Sequence, residues 1–230
     1  RRCGNRDNHL VSPGCGSSAF LMEVKTMPRR RRWMLGLVAF GLMVLAGTGS
    51  VQAQDAQVTG EEPVLLTSCG QSPGPTYVKL FLGRLGLDFE LLEQATAQDL
   101  VDAAAAGTPF KSIVIVTGAS LKGMGAAGVS MREELIRTEA LIAEAKSQGL
   151  TIVGAHVEGM DRRAQGASAG DNSDEQSIDA VMPNSHVMVV RADGNEDRRF
   201  TILSEANGIP LILFEKNMEM GDAFGKVLKK

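Results

Sequence analysis

From Pro63 onward the chain alternates short apolar runs with apolar stripes at helical spacing. The runs are Pro63 to Ser68, Asp88 to Leu92, Ser112 to Val116, Thr151 to Val157, His186 to Val190 and Ile209 to Phe214. Each has the length of a strand, and most are continuously apolar, the pattern of strands covered on both faces of a parallel sheet. Helices fill the gaps. Tyr77 to Leu85 sets Val78, Phe81, Leu82 and Leu85 on one stripe, and Thr96 can cap a helix through Ala106 that stops at Gly107. Ser130-Met131-Arg132-Glu133 reads as a capping box for a helix that carries Leu135, Ile136, Leu141 and Ile142 and ends at Gly149. Ser173 to Gln176 reads as a second box, before Ile178, Val181 and Met182. Asp197 can cap a helix ending at Asn207-Gly208, and a last helix from about Glu219 carries Phe224, Val227 and Leu228. The alternation predicts a three-layer doubly wound α/β domain, Rossmann-like or flavodoxin-like, with a mainly parallel sheet of five to six strands and right-handed crossovers.

In such a sheet, ligands bind outside the carboxyl ends of the strands, where neighbouring crossovers diverge. The segments on that edge are long, polar and rich in glycine: Ser68 to Gly74, Thr117 to Ser130, Glu158 to Asp174 and Arg191 to Asp197. The opposite edge is served by tight connections such as Ser147-Gln148-Gly149 and Asn207-Gly208-Ile209. The asymmetry points to a site on the first edge. Thr117 to Ser130 is expected to be a long glycine loop with one lysine, of the kind that brings backbone N–H groups to an anion. Its spacing is not that of a phosphate loop, since Lys122-Gly123 is not Gly-Lys followed by Ser or Thr. Gly123-x-Gly125-x-x-Gly128 matches the letters of a dinucleotide fingerprint but lies several residues past the strand.

The start of the chain alters the composition. From Met27, Arg29 to Arg32 precede the apolar stretch Trp33 to Ala46, and Val51-Gln52-Ala53 offers small residues for cleavage, so residues 27–53 read as a secretory signal. Residues 1–26, with Cys3 and Cys15, read as upstream of the true start, at Met27 or Met22. The apolar stretch is short for a bilayer span, so no stable span is expected after cleavage near Ala53. Residues 54–61 read as a flexible mature N-terminus and 62–230 as a single α/β domain, periplasmic or secreted. From Gln54 the chain holds 16 Lys and Arg against 25 Asp and Glu, a net charge of -9 in place of the -3 of the whole. Such a domain repels nucleic acid. Cys69 is then the only cysteine left, which excludes an internal disulfide in the mature chain.

Pro63-Val64-Leu65-Leu66-Thr67-Ser68-Cys69-Gly70-Gln71-Ser72, Lys122-Gly123-Met124-Gly125-Ala126-Ala127-Gly128, and Gly194-Asn195-Glu196-Asp197 before Phe200-Thr201 and Ile209-Pro210-Leu211 together resemble an exported bacterial family known as domain of unknown function 6305. The resemblance spans nearly the whole mature chain. It implies an exported α/β domain and carries over no catalytic roles and no cofactor.

Candidate ligand-binding residues are Gly70, Gln71, Ser72, Gly118, Ser120, Lys122, Gly123, Gly125, Gly128, Arg162 and Asn195. Lys122 can neutralise a carboxylate or phosphate, and Arg162 with Arg163 can clamp one in bidentate fashion or stand as a solvated pair. Gln71, Ser72 and Asn195 suit ligand orientation and equally suit caps and turns. Gly166 to Asn172 reads as a lid or a disordered tip. Catalytic candidates are Cys69 or Ser120 as nucleophile, with His156 as base and Glu158 on the same side of its strand. The bland readings are a buried small residue for Cys69 and a satisfied strand-end histidine for His156. His186 falls on the opposite edge, and no spacing supports a metal site. The residues therefore favour a binding domain for a small anionic or polar metabolite, presented to a transporter or sensor. A hydrolase or transferase and a non-catalytic module for an envelope partner are the alternatives.

Overall fold

Six largely apolar runs form one parallel sheet, the four inner strands buried on both faces and the two edge strands only partly. The computed structural model describes residues 59–166 and 171–230. The expected signal segment, the residues before it, positions 54–58 and most of the Gly166 to Asn172 stretch lie outside the described residues. The strands are β1 (Gly60–Glu61), β2 (Val64–Cys69), β3 (Phe89–Leu91), β4 (Ser112–Thr117), β5 (Thr151–His156), β6 (Val187–Arg191), β7 (Leu211–Phe214) and β8 (Leu228–Lys229). The helices are α1 (Gly74–Leu85), α2 (Ala97–Ala105), α3 (Leu121–Ala127), α4 (Met131–Ser147), α5 (Ser173–Val181), α6 (Arg199–Asn207) and α7 (Met220–Gly225). The main sheet runs β3-β2-β4-β5-β6-β7 and is parallel throughout. With its strands counted from the first, this is the flavodoxin-like order extended by one strand, and its switch point lies between β2 and β4. No helix among the described residues is long and apolar enough to cross a membrane.

Alternate residues of the same runs serve opposite faces. Val64, Leu66, Val114, Val116, Val153 and Ala155 meet Val78, Phe81 and Leu82 of α1 and Phe224 of α7. Their neighbours Leu65, Ile113, Ile115 and Ile152 meet Leu100 of α2 and Leu141 and Ile142 of α4. Farther along that face, Met188 and Val190 pack with Ile178 of α5 and Phe200 of α6.

Several helix starts follow the sequence. Thr96 with Asp99, and Ser130 with Glu133, form reciprocal capping boxes at α2 and α4. Four features differ. Residues 121–127 of the expected glycine loop are a helix, capped by Ser120, whose hydroxyl accepts the Gly123 N–H at 3.0 Å, and ended by Gly128 at φ 72°. The Ser173 capping box does not form. Ser173 is the first residue of α5 and donates to Asp171, while Asp174 turns to another loop. The buried stripe of α4 is Glu134, Thr138, Leu141, Ile142 and Ala145, so Ile136 is exposed. Val227 and Leu228 leave the last helix, and Leu228 pairs with Gly60 in a two-stranded parallel sheet that ties the ends of the described domain.

Leu66 has no exposed surface and lies at the centre of the core between the sheet and α1. Replacing it with alanine is expected to lower unfolding free energy by about 2–5 kcal/mol in chemical denaturation, the cost of lost transfer energy plus a cavity.

Candidate functional site at the switch point

α1 and α4 leave the sheet on opposite faces, so the connections after β2 and β4 diverge, as the topology requires. They are stitched together at their start: the Gly118 and Ser120 N–H groups donate to the Cys69 and Gly70 carbonyls at 3.3 and 2.8 Å. Two glycines permit the approach. Gly70 has φ 102°, and a Cβ there would lie 2.6 Å from the Gly118 carbonyl oxygen, while a Cβ on Gly123 would lie 2.1 Å from that of Gln71. Helix α3 therefore sits directly on the β2–α1 connection.

Carboxylates from neighbouring elements take the backbone donors of these connections. Glu134 of α4, fully buried, accepts from the Gly70 N–H and the Gln71 side-chain amide, both at 3.0 Å. Arg137 forks onto the same carboxylate at 2.9 and 3.1 Å and also donates to the Ser68 and Ala95 carbonyls. Burial alone would raise the Glu134 pKa, but Arg137, Gln71 and Gly70 outweigh it and hold it below the usual carboxylate range. Glu158 accepts from the Gly74 N–H at the start of α1 at 3.1 Å and from Arg162 Nε at 3.1 Å. Asp174 of α5 accepts from the Ala119 N–H at 2.6 Å, and Ser177 accepts from that of Gly118 at 3.0 Å. Burial pushes the Asp174 carboxyl up in spite of the Ala119 bond and the positive Arg162 nearby.

What stays open is a cleft of about 650 Å³ beside this stitched floor. Its polar lining is Gln71, Ser72, Thr76, Gln94, Lys122 and Arg162, together with Ser68, Glu93 and Ser120. Grooves of about 410 and 370 Å³ lie on the opposite edge. Gln71 holds a left-handed backbone at φ 57°, and its side-chain nitrogen lies within hydrogen-bond distance of Ser68 Oγ, the Glu93 carbonyl and Glu134. Lys122 makes no ion pair among the described residues. Arg162 spans the cleft wall from Glu158 to the Ala119 carbonyl, 3.1 Å from Nη1.

The structure thus gathers Gln71, Ser72, Ser120, Lys122, Gly123 and Arg162 around one cleft. Other expected ligand contacts have internal roles. The Gly70 and Gly118 N–H groups are taken, Gly128 terminates α3, and open space surrounds Gly125. Asn195 caps α6, its side-chain oxygen accepting the Phe200 and Thr201 N–H groups at 2.9 and 3.2 Å. Arg163 is buried rather than solvated; it pairs with Glu175 and Asp197 and lies over the Phe200 ring.

Cys69, Thr117 and His156 fall in register on one face of β2, β4 and β5. Two strand spacings, roughly 10 Å, separate the thiol from the imidazole. Burial pushes the Cys69 thiol up to about 11. His156 Nε2 donates to the Gly159 carbonyl at 2.9 Å, so Nδ1 accepts from the Thr117 hydroxyl at 3.1 Å. Its ring packs against Phe200 at 4.9 Å. Both nitrogens are engaged, and the Ser120 hydroxyl is engaged as a cap, so no nucleophile and base are joined. Among the described residues no three His, Cys, Asp or Glu side chains converge as a metal set. Glu134, Arg137, Asp174 and Ser177 were not foreseen. The legible signal for Glu134 is its phase, since it shares the stripe of Leu141 and Ala145.

Burial, opposed by the bond to Gly159 and reinforced by the Arg163 charge, lowers the His156 pKa from its usual 6.5 to about 4. A depressed folded-state pKa gives stability that is full above pH 6.5 and is lost as pH falls toward 4. Urea unfolding across that window should show the loss, and His156→Asn should lower stability at neutral pH while flattening the slope.

Residues 61–228 match the model of a family described as "Domain of unknown function (DUF6305)". No curated protein matches the chain. Among solved structures, it is similar to the HMG-CoA lyase from Brucella melitensis, at 16% identity and a TM-score of 0.37, over 70% of this chain and 64% of that one. It is also similar to the psychrotrophic esterase EstA from Pseudoalteromonas sp. (10% identity, TM-score 0.32, 72% of this chain and 94% of that one). A third is a GDP-L-fucose synthetase from Naegleria fowleri bound to NADP (9%, 0.30, 66% and 48%). The chain thus spans less than two thirds of the lyase and about half of the synthetase. At these identities and scores, none of the three carries a function to it.

Proposed function

The chain belongs to the DUF6305 family, and we propose that it is a non-catalytic domain that binds a small anionic or polar metabolite in the cleft at the switch point. The observation that carries this reading is Lys122, a cation without an ion pair among the described residues, at the wall of a cleft whose other charged lining residues are Glu93 and Arg162, the latter already paired with Glu158. In a domain of net charge -9 from Gln54 onward, that wall is a local exception. The backbone donors of the floor serve internal carboxylates, so recognition falls to side chains. Lys122 and Arg162 meet the anionic group, while Gln71, Ser72, Thr76 and Gln94 meet hydroxyl or carbonyl groups. Glu93 among the lining residues favours a ligand that also offers hydroxyl donors and disfavours a purely anionic one. The burial of Cys69 and the hydrogen-bonded state of Ser120 and His156 support binding over hydrolase or transferase chemistry.

On the same reading, residues 27–53 direct export and are removed, and the domain presents its ligand to a transporter or sensor outside the cytoplasm. Expression of the full chain with intact-mass analysis of the secreted fraction is expected to give a mature product that begins near Gln54; a retained segment overturns the export reading.

Thermal-shift and calorimetric screens of carboxylates, hydroxy acids and phosphates are expected to find a stabilising ligand. Lys122→Ala should weaken it about 10- to 100-fold, the equivalent of one charge-assisted hydrogen bond. Because Lys122 is exposed, the unliganded melting temperature should stay unchanged. If no member of these classes stabilises the domain, or if binding is indifferent to both Lys122→Ala and Arg162→Ala, the reading fails.

A further inference from the structure

Gln71 is held in a way that leaves one of its polar groups unused. Its side-chain nitrogen lies 3.1 Å from Ser68 Oγ, 3.2 Å from the Glu93 carbonyl and 3.0 Å from Glu134 Oε2. A carbonyl only accepts, and so does the Glu134 carboxylate, which the Arg137 fork keeps ionised. The reversed amide would set its oxygen against both, so this network fixes the nitrogen inward and Oε1 on the other side. Oε1 accepts no hydrogen bond among the described residues, yet it is not sealed from solvent. Gln71 is only 9% exposed and lines the cleft, which gives this oxygen its outlet. The strained backbone at φ 57° and the saturated nitrogen together hold one acceptor in a fixed direction.

The next residue has the opposite character. Ser72 Oγ accepts the Gly74 N–H at 3.3 Å and donates to no described group, and Ser72 lines the same cleft. A ligand hydroxyl can donate to Gln71 and accept from Ser72, whereas an ammonium answers only the first and a carbonyl only the second. Thr76 and Gln94, both exposed, extend this two-way character along the wall. Charge narrows the class further. Lys122, without an ion pair among the described residues, calls for one negative charge, and Glu93 in the lining disfavours a dianion such as a phosphate ester. None of the described residues that line the cleft is aromatic, so a flat ring finds no stacking face. The cleft volume of about 650 Å³ equals roughly twenty water molecules at ~30 Å³ each, more than the smallest hydroxy acids fill.

Resting on the reading that this cleft binds a metabolite, we infer that its ligand is a polyhydroxylated monocarboxylate, a sugar acid, with Lys122 on the carboxylate and Gln71 Oε1 and Ser72 Oγ as the acceptor and donor that select its hydroxyls. The cation attracts the class of anions, and the pair at positions 71 and 72 decides among them.

Isothermal titration calorimetry of the purified chain tests this with hexonates and hexuronates of gluco, galacto and manno configuration, beside hexanoate, norleucine, sorbitol, glucarate and inorganic phosphate. At least one sugar acid is expected to bind about tenfold or more tightly than hexanoate, which lacks the hydroxyls, norleucine, which carries an ammonium in their place, and sorbitol, which lacks the charge. Ser72→Ala should reduce the preference for that sugar acid over hexanoate about 3- to 10-fold, the equivalent of one neutral hydrogen bond, and Gln71→Met at least as much. Circular dichroism checks that both variants fold, and Ser72→Ala decides if Gln71→Met does not. Sugar acids that bind no better than hexanoate overturn the inference, as does a preference that survives Ser72→Ala. Binding of norleucine, glucarate or phosphate that is lost in Lys122→Ala, while every sugar acid fails, overturns it as well and leaves the cleft an anion site. If no probe binds, the reading of the cleft as a metabolite site falls and the sugar-acid class falls with it.

Discussion

The carboxylate of Glu134 joins three segments that are far apart in sequence: helix α4, the connection after β2 and, through Arg137, the connection before α2. A carboxylate buried in this way costs several kcal/mol unless its oxygens are fully used. Here they accept a backbone N–H, a side-chain amide and a guanidinium fork, so the charge is retained as the cheaper state. The backbone after β2 depends on it. Gly70 and Gln71 are both held at positive φ, a conformation that Gln71 reaches only against steric cost, and the groups that hold them there converge on this one side chain. Without the carboxylate, the Arg137 charge and the Gly70 N–H would lose their partner in the same buried place, and the floor of the cleft would lose its shape with them.

Glu158 and Asp174 repeat the device at the start of α1 and at the connection after β4. In a doubly wound sheet these amides and helix starts are the positions at which the fold commonly receives phosphate or carboxylate ligands. In this chain the anions come from the protein. Occupation from within ties the edge together and leaves side chains, in place of backbone donors, as the polar groups that line the cleft. The backbone amides that the fold rule singles out at this edge are thus already bonded within the protein.

The legibility of the chain divides along the same line. Strands covered on both faces leave continuous apolar runs, and all six main strands can be read within two residues of their bounds. Thr96, Ser130 and Gly208 act through their immediate neighbours, so they too are visible in sequence. Helix α3 was hidden because Gly123 and Gly125 are poor helix formers; its cap at Ser120 and the close approach of Gly123 to Gln71 compensate for that, and only the first is local. Ser173 misleads because Asn172, one residue earlier, takes the N-cap position, its carbonyl accepting the Gln176 N–H at 3.0 Å, while the Ser173 hydroxyl turns to Asp171. Asn195 had two uses open to it, and the amides of Phe200 and Thr201 decide for the cap. Glu134 carried a signal in its phase on α4, but a lone carboxylate on an apolar stripe does not name its partners.

Sheet order also separates the two surfaces that the chain leaves unfilled. The cleft lies between β2 and β4, and the open edge is β7, three strands beyond β4. At roughly 4.8 Å per strand this is about 14 Å, more than the reach of any side chain from the cleft wall. Whatever meets that edge therefore neither covers Lys122 nor lends a residue to the cleft, so the two surfaces are independent of each other.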